Sequence, residues 1–237
     1  MRPIPLHRKD KKKFKHAGAM LAWALQRFHY RRKKGLKVST KDPVAADRFL
    51  ALVTLTRVAA AHAQAILAAC NRSVAESSLV NMRAMLEVWA DCQLIAKDDT
   101  GMAMRRAHLA GALALLRKNP DEELTKRLKS IHGQAFDDAA KQIAKNPNGH
   151  WSGKGRRALI ADQCGEQYGH YYELLSWDCH PVVQVALDVQ VLDKLGGKLQ
   201  LGHRDTQHQV ATQTCVQATH VLRAMWNELV KHEPATA

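Results

Sequence analysis

Apolar positions recur every three or four residues along most of the chain, a spacing that places them on one face of an α-helix. Such stretches run from Val44 to about Ala69, over about residues 74–97 and over 101–118. Strand-like alternation of apolar and polar residues appears only in VVQVALDVQV (182–191). Because this segment lies between helical segments, we expect it to pack as a helix or as an extended segment. The pattern therefore predicts an all-α protein.

Turn-forming residues mark the breaks between these helices. Asn119-Pro120 closes the third helix, and NPNGHWSGKGRR (146–157) is the stretch of the body richest in turn residues. Further helices are predicted over 121–131, 134–145, from about Arg157 to His180, and from about Thr206 to Lys231. Together with the N-terminal segment, these predict a single bundle of about six to eight helices.

Positive charge is concentrated at the N-terminus. Residues 1–37 hold thirteen Lys and Arg against the single acid Asp10, a net +12 of the chain's +14. The apolar stretch Ala17–Leu25 separates two basic clusters and predicts a short helix that displays Trp23. We therefore divide the chain into a basic N-terminal arm, residues 1–42, and an all-helical domain, residues 43–237.

A cationic arm with interleaved aromatic residues is suited to the phosphate backbone of RNA. The alternatives are a solvated tail and a segment that packs on a partner subunit. The residues predicted to contact nucleic acid are the basic residues of the two clusters and one lysine of the turn-rich loop: Lys11, Lys12, Lys13, Lys15, Arg31, Arg32, Lys33, Lys34 and Lys154.

Other sequence features narrow the class of protein. The five cysteines are odd in number and form no C-x-x-C pair, which is typical of a reducing cytosol. The chain has no run of about 18 apolar residues, so we predict a cytoplasmic protein without a membrane span. The loop GHWSGKG has neither the spacing of a P-loop nor the hydroxyl residue required after the lysine.

No metal or cofactor is expected. The paired ligand spacing of a metal site is absent from the group formed by Cys164, His170, Cys179 and His180. The G-x-S-x-G elbow that holds the nucleophile of many serine hydrolases is also absent from the sequence.

The segment RAMLE places polar residues on an otherwise apolar helix. Arg83 and Glu87 are four residues apart and share a face, and Asp91 follows one turn later. Charges on a buried helix need partners, because an unpaired buried charge is costly. The face therefore indicates either an internal ion pair or the lining of a pocket.

The segment YYELLSWDCHP (171–181) places Tyr172, Ser176 and His180 on one helix face. Pro181 disfavours helical geometry at the preceding residue, so we expect the helix to end at about His180. A helix C-terminus favours a protonated imidazole. The three side chains are suited to acid–base chemistry or to holding a phosphate, and equally to a hydrogen-bonded row between helices.

Three motifs, in this order, resemble those of an uncharacterised bacterial all-helical family, a domain of unknown function. They are the R-x-x-x-E helix (Arg83, Glu87), the W-S-G-K loop (151–154) and Y-x-x-x-Y-x-x-L-S-x-x-x-H (168–180). The resemblance covers roughly residues 45–230 and implies a helical fold without implying an activity.

A more distant resemblance is to the HEPN superfamily, helical bundles common in prokaryotic defence and toxin–antitoxin systems. It implies a homodimer and, as in many members, a metal-independent ribonuclease with roughly four to six residues between an arginine and a histidine at a helix end. His180 matches that histidine, but Leu174 and Leu175 stand where the arginine is expected. Two other pairs satisfy the spacing and receive no catalytic role: Arg127 with His132, and Arg2 with His7.

The first hypothesis is an RNA-directed protein of a defence or toxin-type system, either a metal-independent ribonuclease, as the HEPN resemblance implies, or a nucleic-acid-binding protein. In this hypothesis His180 is the general acid or base, Arg83 binds the phosphate and Glu87 orients Arg83. Ser176 and Tyr172 position the substrate. The alternative is a non-catalytic interaction or regulatory module in which the same residues form a buried structural network. A small-molecule sensor with a pocket between the helices is a third hypothesis.

Overall fold

The computed structural model describes residues 8–33, 42–72, 76–145, 150–179 and 204–233. Within these ranges the chain forms nine α-helices and no strand, so the predicted all-α class is confirmed. In chain order the helices are α1 (Arg8–Lys33), α2 (Pro43–Asn71), α3 (Glu76–Ala96), α4 (Met102–Lys118), α5 (Glu122–His132), α6 (Gln134–Lys145), α7 (Arg156–Cys164), α8 (Glu166–Cys179) and α9 (Arg204–Lys231).

The nine helices of the described residues exceed the predicted six to eight, because the region expected as one helix from Arg157 to His180 forms two. Gly165 has a φ of 110°, a value that favours glycine over residues with a side chain. Its amide donates to the carbonyl of Ala161 at 3.0 Å, which ends α7, and α8 begins at the next residue. The alternating segment 182–191 lies outside the described residues.

The core lies where α2, α3 and α9 contact one another, with α1 against α9 and α2, and with α7 and α8 against α3. Its fully buried side chains include Phe49, Ile66, Met85 and Met225. Burying one such side chain contributes about 1.5–3 kcal/mol, so the helical pattern of apolar residues explains why these helices assemble. A smaller cluster around Leu109 and Phe136 joins α4 and α6.

The basic N-terminal segment contributes a helix to this core. Ala17, Leu21, Leu25 and Phe28 are buried at helical spacing and belong to the same cluster as the residues of α2 and α9. The predicted helix of residues 17–25 was therefore too short, since α1 spans 26 residues. Trp23 and other residues of its opposite face are exposed.

Among the described residues, α2 is the one helix that is long and apolar enough to cross a membrane by length and composition. In the bundle it contacts α1, α3 and α9, and residues such as Phe49, Leu52 and Ile66 are buried there. Core helices of globular proteins have the same composition, so the absence of a membrane span remains a prediction.

Candidate active site between α3, α7 and α8

The three motifs meet where α3, α7 and α8 contact one another. Arg83, Glu87 and Asp91 follow at intervals of four along α3 and therefore share one face. Tyr172 of α8 bonds to this face, and the loop that precedes α7 brings His150 to it. We refer to Arg83, Glu87, Asp91, His150, Arg156 and Tyr172 as the polar cluster.

A glycine allows α8 to approach α7 closely enough to form this corner. A Cβ at Gly169 would lie 2.8 Å from the Cβ of Ala161 and 3.3 Å from the carbonyl oxygen of Arg157. The first contact is closer than side-chain atoms tolerate and the second is tight, so a larger residue forces the two helices apart. The position of Tyr172, three residues further along α8, depends on this packing.

The Tyr172 hydroxyl joins α8 to α3. It accepts a hydrogen bond from Arg83 Nη2 at 3.1 Å and donates one to Glu87 Oε1 at 2.7 Å. The Arg83 guanidinium also lies over the tyrosine ring, 5.1 Å from its centroid, and Arg83 Nε is 3.5 Å from Glu87 Oε1. Burial and the hydrogen bond to Glu87 raise the pKa of Tyr172, so the phenol stays protonated at neutral pH.

His150 fixes the loop before α7 against α3. Its side chain is 1% exposed, and its Nε2 lies 2.7 Å from Asp91 Oδ1. The backbone amide of Ser152 donates to Nδ1 at 3.1 Å, so Nδ1 is an acceptor, and Nε2 is the ring nitrogen that lies next to the Asp91 carboxylate. The Ser152 hydroxyl also lies 2.7 Å from Nδ1, so a hydroxyl, an imidazole and a carboxylate follow one another across the loop.

Arg156 supplies a second cation to the polar cluster. Its Nε is 3.6 Å from Glu87 Oε2, and its Nη1 is 3.7 Å from Asp91 Oδ1. Its side chain is 38% exposed, and those of Arg83 and Glu87 are 29% and 26% exposed. The cluster thus holds two arginines and two carboxylates and is open to solvent along one edge.

Of the five residues predicted to be catalytic, the structure brings together Arg83, Glu87 and Tyr172. The Ser176 hydroxyl donates to the carbonyl oxygen of Tyr172 at 2.8 Å, a bond within its own helix. His180 lies outside the described residues, directly after the last residue of α8.

The sequence did not single out His150 or Arg156 as site residues. The one signal for them was the W-S-G-K loop, whose neighbours they are. Asp91 was placed on the correct face of α3, and its need for a partner was a second signal. No sequence pattern, however, indicates which way such a loop folds.

The predicted nucleic-acid contacts are described only in part. Lys15 is exposed on α1. Lys11, Lys12, Lys13, Arg31, Arg32 and Lys33 belong to α1, but their side chains, together with Lys34, lie outside the described part. Lys154 Nζ lies 2.8 Å from Asp162 Oδ2, and this hydrogen bond lowers the pKa of the Asp162 carboxyl.

A cavity of about 420 Å³ is lined in part by Ser152, whose hydroxyl lies 2.7 Å from His150 Nδ1. Trp151 and Met102 form apolar parts of its wall, and its charged lining holds three cations (Lys97, Arg106 and Lys154) and two acids (Asp98 and Asp162). Among the described residues, no group of three or more His, Cys, Asp or Glu side chains is placed to hold a metal ion.

Comparisons of the chain with protein-family models, with curated proteins and with solved structures found no match.

Proposed function

We propose that the chain is an RNA-directed protein, a metal-independent ribonuclease of the HEPN-like kind, and that the polar cluster is part of its active site. The observation that carries the proposal is the Tyr172 hydroxyl, held between Arg83 and Glu87 where three separate motifs meet. The basic N-terminal segment supports it, because +12 of the net charge of +14 lies in residues 1–37.

Cleavage without a metal ion requires the protein to supply both the proton transfers and the positive charge. A base removes the proton of the RNA 2′-hydroxyl, which attacks the adjacent phosphorus, and an acid protonates the departing 5′-oxygen. Arg83 and Arg156 are the cations of the cluster that are exposed enough to meet a phosphate. Cations aimed at the developing charge are often the largest single contribution to such a reaction.

The remaining roles follow the sequence hypothesis. Glu87 orients Arg83, from which it is 3.5 Å away, and Tyr172 positions the arginine and the substrate. His180, eight residues beyond Tyr172 in sequence, acts as the general acid or base. Ser176 lies between them in sequence and shares the helix face of Tyr172. A cytoplasmic homodimer of a defence or toxin-type system is the setting that the HEPN resemblance implies.

The test is cleavage of a mixed-sequence RNA in the presence of EDTA. The wild-type protein is expected to cleave it and to leave 2′,3′-cyclic phosphate ends. His180→Ala is expected to lose at least about 100-fold in rate, as general acid–base catalysis contributes about 10²–10⁴-fold. Circular dichroism and thermal unfolding show whether the variant is folded. An absence of cleavage by the wild type, or an equal rate in folded His180→Ala, contradicts the proposal.

The second candidate function, a non-catalytic helical module, is favoured by the charge balance of the cluster. Each arginine faces a carboxylate, and the His150 ring is buried, with one nitrogen toward Ser152 and the other toward Asp91. Such a network fixes helix packing whether or not it binds a substrate. If the cluster is only structural, Arg83→Met lowers the free energy of unfolding, and neither the wild type nor the variant cleaves RNA.

A further inference from the structure

A groove of about 810 Å³ lies between α1, α2 and α9, separate from the polar cluster. α1 contributes Trp23, Gln26 and Arg27 to its lining, and α9 contributes Arg223, Trp226 and Asn227. No acidic residue lines it among the described residues. A groove of this size accommodates a nucleoside, since ligand pockets are commonly about 300–1,000 Å³.

Trp23 is the most unusual residue of this groove because 53% of its surface is exposed. It lies opposite the buried face of α1, and the guanidinium of Arg27, one turn further on, lies 4.8 Å from the centroid of its ring. A large exposed aromatic next to a cation is characteristic of a binding surface. Because the guanidinium lies over one face of the indole, a further planar group can stack on the outer side of the guanidinium or on the other face of the indole.

The charge of this region selects a polyanion as the partner. Arg27 and Arg223 make no ion pair with any carboxylate of the described residues, although both line the groove. Arg27 lies within residues 1–37, the segment whose net charge is +12, and Arg223 lies on α9, which contacts α1. Gln26 and Asn227 add amide groups that can donate and accept hydrogen bonds at the edge of a base.

We propose that this groove binds single-stranded RNA through one unpaired base. The base stacks on Trp23 and Arg27, the amide groups contact its edge, and Arg223 contacts the neighbouring phosphate. An unpaired base is required because a duplex covers the faces of its bases, whereas a single strand offers them for stacking. The inference rests on the proposed function in that RNA is the ligand, but it does not depend on the polar cluster.

The test uses the full-length protein and a fluorescent 2′-O-methyl oligouridine, which cannot be cleaved through its 2′-oxygen. Affinity is measured by fluorescence anisotropy over a series of salt concentrations, with a 2′-O-methyl duplex of equal length in parallel. Trp23→Ala is expected to weaken single-strand binding roughly 5- to 150-fold, because stacking contributes about 1–3 kcal/mol per base. The slope of log K against log[salt] and the affinity for the duplex are expected to stay unchanged.

Two further variants separate stacking from charge. Arg223→Ala removes one phosphate contact and is expected to reduce the magnitude of the single-strand salt slope by about 0.7. Met20→Ala is the matched control, since Met20 is an exposed apolar residue of α1 that does not line the groove. It is expected to bind like the wild type.

Three outcomes overturn the inference. In the first, Trp23→Ala binds the single strand with wild-type affinity. In the second, Trp23→Ala loses as much affinity for the duplex as for the single strand. In the third, the wild type binds anionic phospholipid vesicles but not the oligonucleotide. Trp23-dependent binding by a protein that cleaves no RNA leaves the inference standing and removes the ribonuclease proposal. Cleavage that depends on His180, together with RNA binding that is unchanged in Trp23→Ala, leaves the ribonuclease proposal standing and removes this inference.

Discussion

Tyr172 is the residue on which the proposed site depends most. Its hydroxyl bonds to both Arg83 and Glu87 and so links α8 to α3. Because these charged partners are about one quarter exposed, water replaces part of what the hydroxyl provides when it is removed. The interaction is therefore worth less than a fully buried one of the same geometry.

We predict that Tyr172→Phe lowers the free energy of unfolding by about 1 kcal/mol, measured by urea denaturation, because only the hydrogen bonds are lost and the ring remains. Combining it with Glu87→Gln should give a loss smaller than the sum of the two single losses, since the residues share one interaction. If the two losses in free energy of unfolding simply add, the result contradicts a hydrogen bond between Tyr172 and Glu87.

The raised pKa of Tyr172 predicts how this contribution depends on pH. The folded protein holds the phenol proton more tightly than the unfolded chain, whose tyrosine pKa is about 10. The contribution is therefore fully present below about pH 10 and is lost as the pH rises through the higher folded pKa. Unfolding measured from pH 8 to 11 should show a steeper loss of stability in the wild type than in Tyr172→Phe. Parallel curves would exclude this linkage.

His150 supports the loop before α7 through bonds that hydrogen exchange can detect. The Ser152 amide donates to its Nδ1, so His150→Ala removes the acceptor. We predict faster exchange of the amides of residues 152–154 in this variant, with little change in α2. His170→Ala is the control, because the His170 side chain is 62% exposed on the surface of α8. Unchanged protection of the loop in His150→Ala would show that its bonds to the loop are unimportant.

At the scale of elements, the contact between α7 and α8 determines whether the site forms. Gly165 separates the two helices, and Gly169 allows them to pack closely. The pair carries Arg156 on one helix and Tyr172 on the other, and both reach α3. A change at the contact between these helices should therefore affect the site without touching any polar residue.

We predict that Gly169→Ala destabilises the protein by about 1–3 kcal/mol, because the added methyl group overpacks the contact with Ala161. Gly111→Ala in α4 is the matched control: nothing lies within 4 Å of its Cβ position. Its helical site should gain about 0.5–1 kcal/mol from the same substitution. Both values come from urea denaturation, and a stabilising effect at Gly169 would contradict the close packing of α7 on α8.

Much of the fold follows from the sequence, because helical periodicity and turn residues are local signals. The helices of residues 101–118, 121–131 and 134–145 begin and end within a residue or two of the predicted positions. The division at Gly165 was missed because one glycine inside a helical pattern does not by itself indicate a break. α1 was predicted too short because its basic residues conceal a buried face that needs α9 as its partner.

The site was predictable where it depends on spacing within one helix. Arg83 with Glu87, and Tyr172 with Ser176, follow from intervals of four residues. The approach of Tyr172 to Arg83 is tertiary: the two residues are 89 positions apart in sequence, and the only sequence signal for it was a polar stripe on each of two apolar helices. His150 could not be predicted, since its place depends on how a turn-rich loop docks on Asp91.

At the scale of the whole molecule, two regions divide the proposed function. The polar cluster on α3, α7 and α8 is the proposed site of RNA cleavage, and the groove between α1, α2 and α9 is the proposed site of RNA binding. Both sets of helices share one hydrophobic core. Changes in one region are therefore expected to separate rate from affinity, provided that the core stays intact.

The most direct test of the central claim is the rate of RNA cleavage by Arg83→Lys in EDTA, compared with that of the wild type at saturating RNA. Lysine keeps the positive charge but cannot reproduce the planar donor geometry of the guanidinium. We predict a loss of about 10²-fold or more in rate, with RNA affinity unchanged and the fold intact. An equal rate in the two proteins would contradict the assignment of Arg83 to the reaction.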